Sequence, residues 1–300
     1  MPDRIPSLRV AAPVETFLQQ LGPLKELPGN WKGHGFNLIA RPDFEGGNDI
    51  FLELNPTDEE LHFSSIGGPI PNRGSVQDDI EIFGLHYLQQ ISDHSTGGAI
   101  HLEPGIWLNV PQTTEPAAPA TVVRMASIPH GTAVLIQGTS FDVAGPPKIG
   151  PANTVPFPIG HPAPPPGTVN GFPEYDLAAA SNFRTSPVPA DVTQAMVTDP
   201  NSRLVDDIAA QTITETTVLT ISTAAGVSPR AFGGAEDIPF LGPNADVAQV
   251  SAIFWIEKVQ YPAPYDEHLF LQLQYTQTVL LNFAGLSWPH VSVATLRKVT

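Results

Sequence analysis

Between Glu267 and Phe283 apolar and polar side chains alternate, and this period of two constrains the fold more than any other feature of the chain. Leu269, Leu271, Leu273, Tyr275, Val279 and Leu281 take odd positions, interrupted only by Gln277, while Gln272, Gln274, Thr276, Thr278 and Asn282 take even ones. Successive side chains of a strand point to opposite faces, so the segment reads as a half-buried antiparallel strand with one wet face. Further strands are expected at Trp31–Ala40, Asp49–Leu54, Glu60–Ile66, Ile80–Ser92, Gly98–Val110, Ala120–Gly138, Thr216–Ser222, Val247–Val259 and His290–Lys298, separated by Gly, Pro, Asn and Asp clusters. Short strands at this spacing imply an all-β antiparallel sandwich or barrel.

Two regions depart from the pattern. Val14, Phe17, Leu18, Leu21 and Leu24 fall at helical spacing, and Pro23 should limit them to a short helix and a turn. Nine prolines lie within Gly145–Pro166, which cannot be a central strand. The stretch Phe141–Pro200 therefore reads as a long insertion in a single domain of residues 1–300. Its Phe157, Phe172, Tyr175 and Phe183 favour a packed lid over a free linker. A helix is expected over Ser202–Thr212 and a second loop near Gly226–Asp246.

Thirty acidic residues against 14 basic ones give a formal charge of −16, which argues against nucleic acid and anionic membranes as partners. The chain has no cysteine, which excludes disulfides, thiolate metal sites and covalent haem attachment. The stretch from Met1 to Arg9 lacks the apolar run of a signal peptide, and no segment approaches the ~20 apolar residues of a membrane helix. A cytoplasmic location is the default expectation.

The segment Trp288-Pro-His-Val-Ser-Val-Ala-Thr-Leu296 sets one histidine on a strand face shared with Ser292, Ala294 and Leu296, with little bulk beside the imidazole. By itself this is either a site for a flat macrocycle or a histidine that follows a proline turn and points to water. Two other motifs precede it: a short helix running into Gly29-x-Trp31-x-Gly33-x-Gly35, and Ile100-His-Leu-Glu-Pro-Gly-Ile-Trp-Leu108.

The three motifs, in this order, resemble the nitrobindin-like haem-binding β-barrels of the calycin superfamily over roughly residues 18–138 and 247–298. The resemblance implies a calycin-like antiparallel barrel of about ten strands with haem b in its mouth. It places the iron ligand on His290, with Ile100, Ala294 and Trp31 among the cofactor-binding residues and His101 as the catalytic candidate. A neutral imidazole from a rigid strand leaves the opposite haem face open for nitric oxide or a peroxide. His101 is either a distal hydrogen-bonding group or a rim residue, and Glu103 either orients an imidazole or, more simply, serves a turn amide. His130, in Ile128-Pro-His-Gly-Thr, either reaches the rim or is an exposed turn residue.

His34, on the face of the first strand opposite Trp31, reads as structural or exposed, and His62, His86, His94, His161 and His268 show no His-x-His or His-x-x-x-His pairing, so a non-haem metal site is not expected. The expected function is therefore haem-dependent binding of a small diatomic or peroxidic ligand, with peroxidase-like or peroxynitrite-isomerising turnover. A metal-free carrier of a small apolar compound is the alternative. A homodimer is an assembly the reading allows.

Overall fold

The computed structural model describes residues 14–299; residues 1–9, read above for a signal peptide, lie outside them. Ten long strands make up the body: β1 (Gly29–Asp43), β2 (Asn48–Ser65), β3 (Ile80–Asp93), β4 (Ala99–Val110), β5 (Thr121–Ile128), β6 (Thr132–Ala144), β7 (Thr212–Ser222), β8 (Asp246–Gln260), β9 (Leu269–Phe283) and β10 (Leu286–Lys298). Each pairs antiparallel with the next, and β10 pairs back with β1 from Trp31↔Lys298 to Leu38↔Val291, which closes the sheet. The molecule is a closed ten-stranded antiparallel barrel of calycin-like form. Closure leaves neither β1 nor β10 as a bare sheet edge.

The motif glycines serve that closure. A Cβ on Gly33 or Gly35 would overlap the carbonyl of Thr295 or Val293 on β10, and one on Gly35 would also lie 2.7 Å from the Glu59 carboxylate. Only glycine lets β1 approach β10 this closely while curving inward.

Two expected strands, Asp49–Leu54 and Glu60–Ile66, are one continuous β2 that passes through Pro56. Proline is tolerated because β3 pairs with β2 only from Thr57 onward, so no partner on that side needs the missing N–H. The expected strand Ala120–Gly138 is instead a hairpin, β5 and β6, turning at Gly131, whose φ of 113° a side chain would resist. The expected loop near Gly226–Asp246 contains a strand, Phe232–Asp237, which pairs with the first half of β6 where β7 does not reach.

Two apolar layers share the barrel wall. Inside, Trp31, Leu61, Leu85, Trp107, Ile136, Leu219, Phe254, Leu273 and Leu296 are buried together with Leu21 and Leu24 of the N-terminal plug. That plug is α1 (Val14–Gln20) and a following 3-10 turn, Gly22–Leu24, as the position of Pro23 foretold. Outside, Phe36, Leu38, Leu52, Leu54, Trp255, Trp288, Val291 and Val293 are covered by Ala152, Tyr175, Val192, Val197 and Leu204. Burying each large apolar side chain contributes roughly 1.5–3 kcal/mol, so the outer layer is a second core rather than a decoration.

The insertion supplies that cover. Phe141–Ala144 belong to β6, so it spans residues 145–211, with helices α2 (Gln194–Thr198) and α3 (Asn201–Ile208) near its end. Much of the rest is irregular and held by side chains. The buried Arg184 donates to the carbonyls of Glu174, Asp176 and Ala179 at 3.0, 2.8 and 2.9 Å, while Leu52 on β2 exchanges backbone hydrogen bonds with Phe183 and Thr185. This cover overturns the wet face expected on β9. Gln272, Gln274 and Thr276 are all buried, and Gln274 donates to Leu204 O while Thr276 donates to Asn201 of α3. Their polarity satisfies a covering segment instead of meeting water.

Candidate functional site

On β10 the even residues His290, Ser292, Ala294 and Leu296 face the interior, and on β1 the odd residues Trp31, Gly33, Gly35 and Asn37 do the same. The register Asn37↔Ser292 brings Asn37 beside His290, whose Nε2 lies 3.0 Å from Asn37 Oδ1. An amide oxygen only accepts, so Nε2 carries the proton and the lone pair rests on Nδ1. Burial pushes the His290 pKa down to about 3, and the charges of His101 and His130 add to the effect. The ring keeps some solvent exposure, but the surrounding wall governs its protonation and holds it neutral.

His101 projects from β4, and its ring stacks against that of His130, with centroids 6.4 Å apart and planes 28° from parallel. His130 sits exposed on the β5–β6 hairpin, so three imidazoles run from the rim inward. Beneath them lies a charged core. The fully buried Glu103 pairs through Oε1 with Arg124 and Tyr87, and its Oε2 lies 3.4 Å from His101 Nε2. Arg124 also donates to Tyr87 at 2.8 Å and to Gln277 at 2.6 Å. Burial alone would raise the Glu103 pKa, but the Arg124 charge and the hydrogen bonds from His101 and Tyr87 outweigh it and hold it at about 2. Its role is an internal ion pair and not the turn-amide contact expected from sequence.

A second acid behaves differently. Glu59, buried on β2, accepts from Tyr275 at 2.6 Å, Thr57 at 3.0 Å and Gln89 at 3.4 Å, with no Lys or Arg paired to it among the described residues. Burial raises its pKa to about 7 against these hydrogen bonds. Two carboxylates whose environments separate their protonation this widely allow one to hold a proton while the other stays charged.

His101 lies near enough to His290 for its charge to act on that ring, and Ala294 is on the same inner face of β10 deeper in the core. Ile100 falls at a bulge, skipped where the β3–β4 register shifts between Ile91 and Ser92, so the ladder does not fix it to the wall beside His101. Trp31 is six residues from Asn37 along β1, about 20 Å at strand rise, where it donates to Leu27 O at 2.7 Å. It plugs the far end and does not share the histidine chamber. Asn37, Arg124, Gln277 and Glu59 were not singled out from sequence. Arg124 carried a signal, a lone cation inside the otherwise uncharged run Val122-Val-Arg-Met-Ala126, whereas Glu59 was hidden in the run Asp58-Glu-Glu60. The histidine spacing also missed a second cluster, because His34 and His94 meet at Asp58 only through strand pairing.

The fold is a closed ten-stranded antiparallel barrel with His290 and His101 on its wall. A solved structure similar to this chain, that of Rv2717c from M. tuberculosis, aligns with a TM-score of 0.44 at 16% identity, covering 97% of this chain and 100% of that one. No protein-family model and no curated protein matches the sequence. Among the described residues no helix is long and apolar enough to cross a membrane.

Proposed function

We propose that this chain is a haem b-binding barrel protein in which His290 would hold the iron and the bound group would take nitric oxide or a peroxide. The observation that carries the reading is the state of His290: an inward imidazole, neutral, with one nitrogen hydrogen-bonded to Asn37 and the other free to donate a lone pair. Metal-bound histidines use their second nitrogen in this way. The donor chemistry suits the group, and the small residues Ser292 and Ala294 on its strand face put little side-chain bulk beside the ring. Bound haem would supply an iron centre able to take a small ligand and to act in redox or Lewis-acid chemistry.

The chain's own contribution is placement of protons. His101 stands between solvent and the Glu103–Arg124 pair, and Glu103 stays anionic and orients the ring through Oε2. His101 is thus the candidate group for handing a proton to a bound peroxidic oxygen. Hemin titration tests the reading. The wild type should develop a Soret band, which His290→Ala strongly weakens or shifts, while His101→Ala retains the band and changes ligand binding. An unchanged spectrum in His290→Ala overturns the ligand assignment. Solvent extraction of purified protein that yields an apolar molecule and no iron would favour the metal-free carrier instead.

A further inference from the structure

We propose that His34, Asp58 and His94 form a separate surface site for a divalent transition-metal cation, on the outer face of the barrel wall. His34 Nδ1 lies 2.7 Å and His94 Nδ1 2.9 Å from the same Asp58 Oδ1, and one ligand atom from each residue lies within 4.8 Å of the others. Bonds of about 2.0–2.1 Å from zinc to nitrogen and oxygen place neighbouring ligand atoms roughly 3 Å apart, so the three atoms need only small shifts to surround an ion. Two imidazoles and a carboxylate are a ligand set for zinc and its first-row neighbours, not for calcium or magnesium, which prefer oxygen.

The framework is fixed before any ion arrives. His34 and Asp58 are direct cross-strand partners on β1 and β2. His94 follows β3, and its backbone N–H donates to Pro56 O at 3.0 Å. The turn carrying it is capped by Asp93, whose carboxylate accepts from the N–H groups of Ser95 and Thr96 at 3.1 and 2.7 Å. The two rings meet edge to face with centroids 5.7 Å apart, which leaves both nitrogens turned toward one carboxylate. All three side chains are about half exposed, so water can complete the coordination and an ion can enter without opening the fold. Metal entry replaces the protons now shared with Asp58, and each neutral ring can carry its proton on Nε2 instead.

The even-numbered His34 and Asp58 face away from the chamber that contains Asn37 and Glu59, so this site is independent of the haem reading. Titration of EDTA-treated full-length protein with Zn²⁺ in a calorimeter tests it, using a His101→Ala/His130→Ala/His290→Ala background to remove the three chamber imidazoles. One equivalent of Zn²⁺ should bind, and His34→Ala or His94→Ala should weaken binding by about 10-fold or more. Asp58→Asn should weaken it as well, with circular dichroism verifying that each variant is folded. Absence of binding in the background protein, or affinity unchanged in both histidine variants, would overturn the proposal.

Discussion

Glu103 and Glu257 are both shut away from solvent on strands of one barrel, yet they are held in opposite ways. Glu103, inside, faces Arg124 and remains charged, with its pKa near 2. Glu257, outside and under the insertion, accepts 2.6 Å from Gln272, while its other oxygen has no partner among the described residues. Burial there raises the pKa to about 7, and the Gln272 hydrogen bond only partly offsets it. Glu103 is built around a cation and Glu257 around an amide. A buried carboxylate is a fixed charge where a cation faces it and a proton store where neutral groups do, as at Glu257 and the inner Glu59.

The largest effect should come from breaking the inner pair. Arg124→Leu strands a buried carboxylate and should cost about 3–5 kcal/mol in urea unfolding, whereas Arg124→Leu with Glu103→Leu should recover much of that loss. A double variant as unstable as the single one would show that Glu103 does not need the cation. Next in size is the dependence on pH. Because Glu257 has a folded pKa above its ordinary 4.5, its stabilising contribution is complete below about pH 4.5 and is lost as pH rises through 7. A rise of that size corresponds to roughly 3 kcal/mol. Glu59, raised for the same reason, acts in the same direction. Glu257→Gln should therefore flatten most of the net wild-type decline between pH 5 and 8, because the depressed His290 pKa already opposes part of it below pH 6.5. An unaltered slope would remove Glu257 from the comparison. Glu103 works in the opposite window, its contribution present above 4.5 and lost as pH falls through 2.

The smallest effect concerns the seam between layers. Thr276→Val deletes the hydrogen bond to Asn201 and should cost about 1 kcal/mol. Hydrogen exchange should report that loss first in α3, while the amides of β9 stay protected. Equal loosening of both would mean that the insertion and the barrel open as one unit.

The inward row on β10 could be read from alternation alone, and it correctly placed His290 with Ser292 and Ala294 on one face. The same rule failed on β9. Gln272, Gln274 and Thr276 look like solvent-facing residues in any local window, because periodicity reports which face is apolar and not what covers the polar one. Their cover comes from Asn201, Leu204 and Gln211, about 60 to 75 positions away.

Sequence by itself determined where most strand-forming segments lie, the short helix and turn before Trp31 and the proline-rich break at Gly145–Pro166, since each depends on backbone preference or side-chain period within a few residues, but not where strands merge or turn back as hairpins. Closure of β1 on β10 decided the rest. It brought Asn37 to His290, as strand pairing brought His34, Asp58 and His94 together and seated Arg124 between Glu103 and Gln277. These are contacts between residues distant in sequence, and their pKa values and hydrogen bonds depend on what lies across the barrel, which no local pattern encodes.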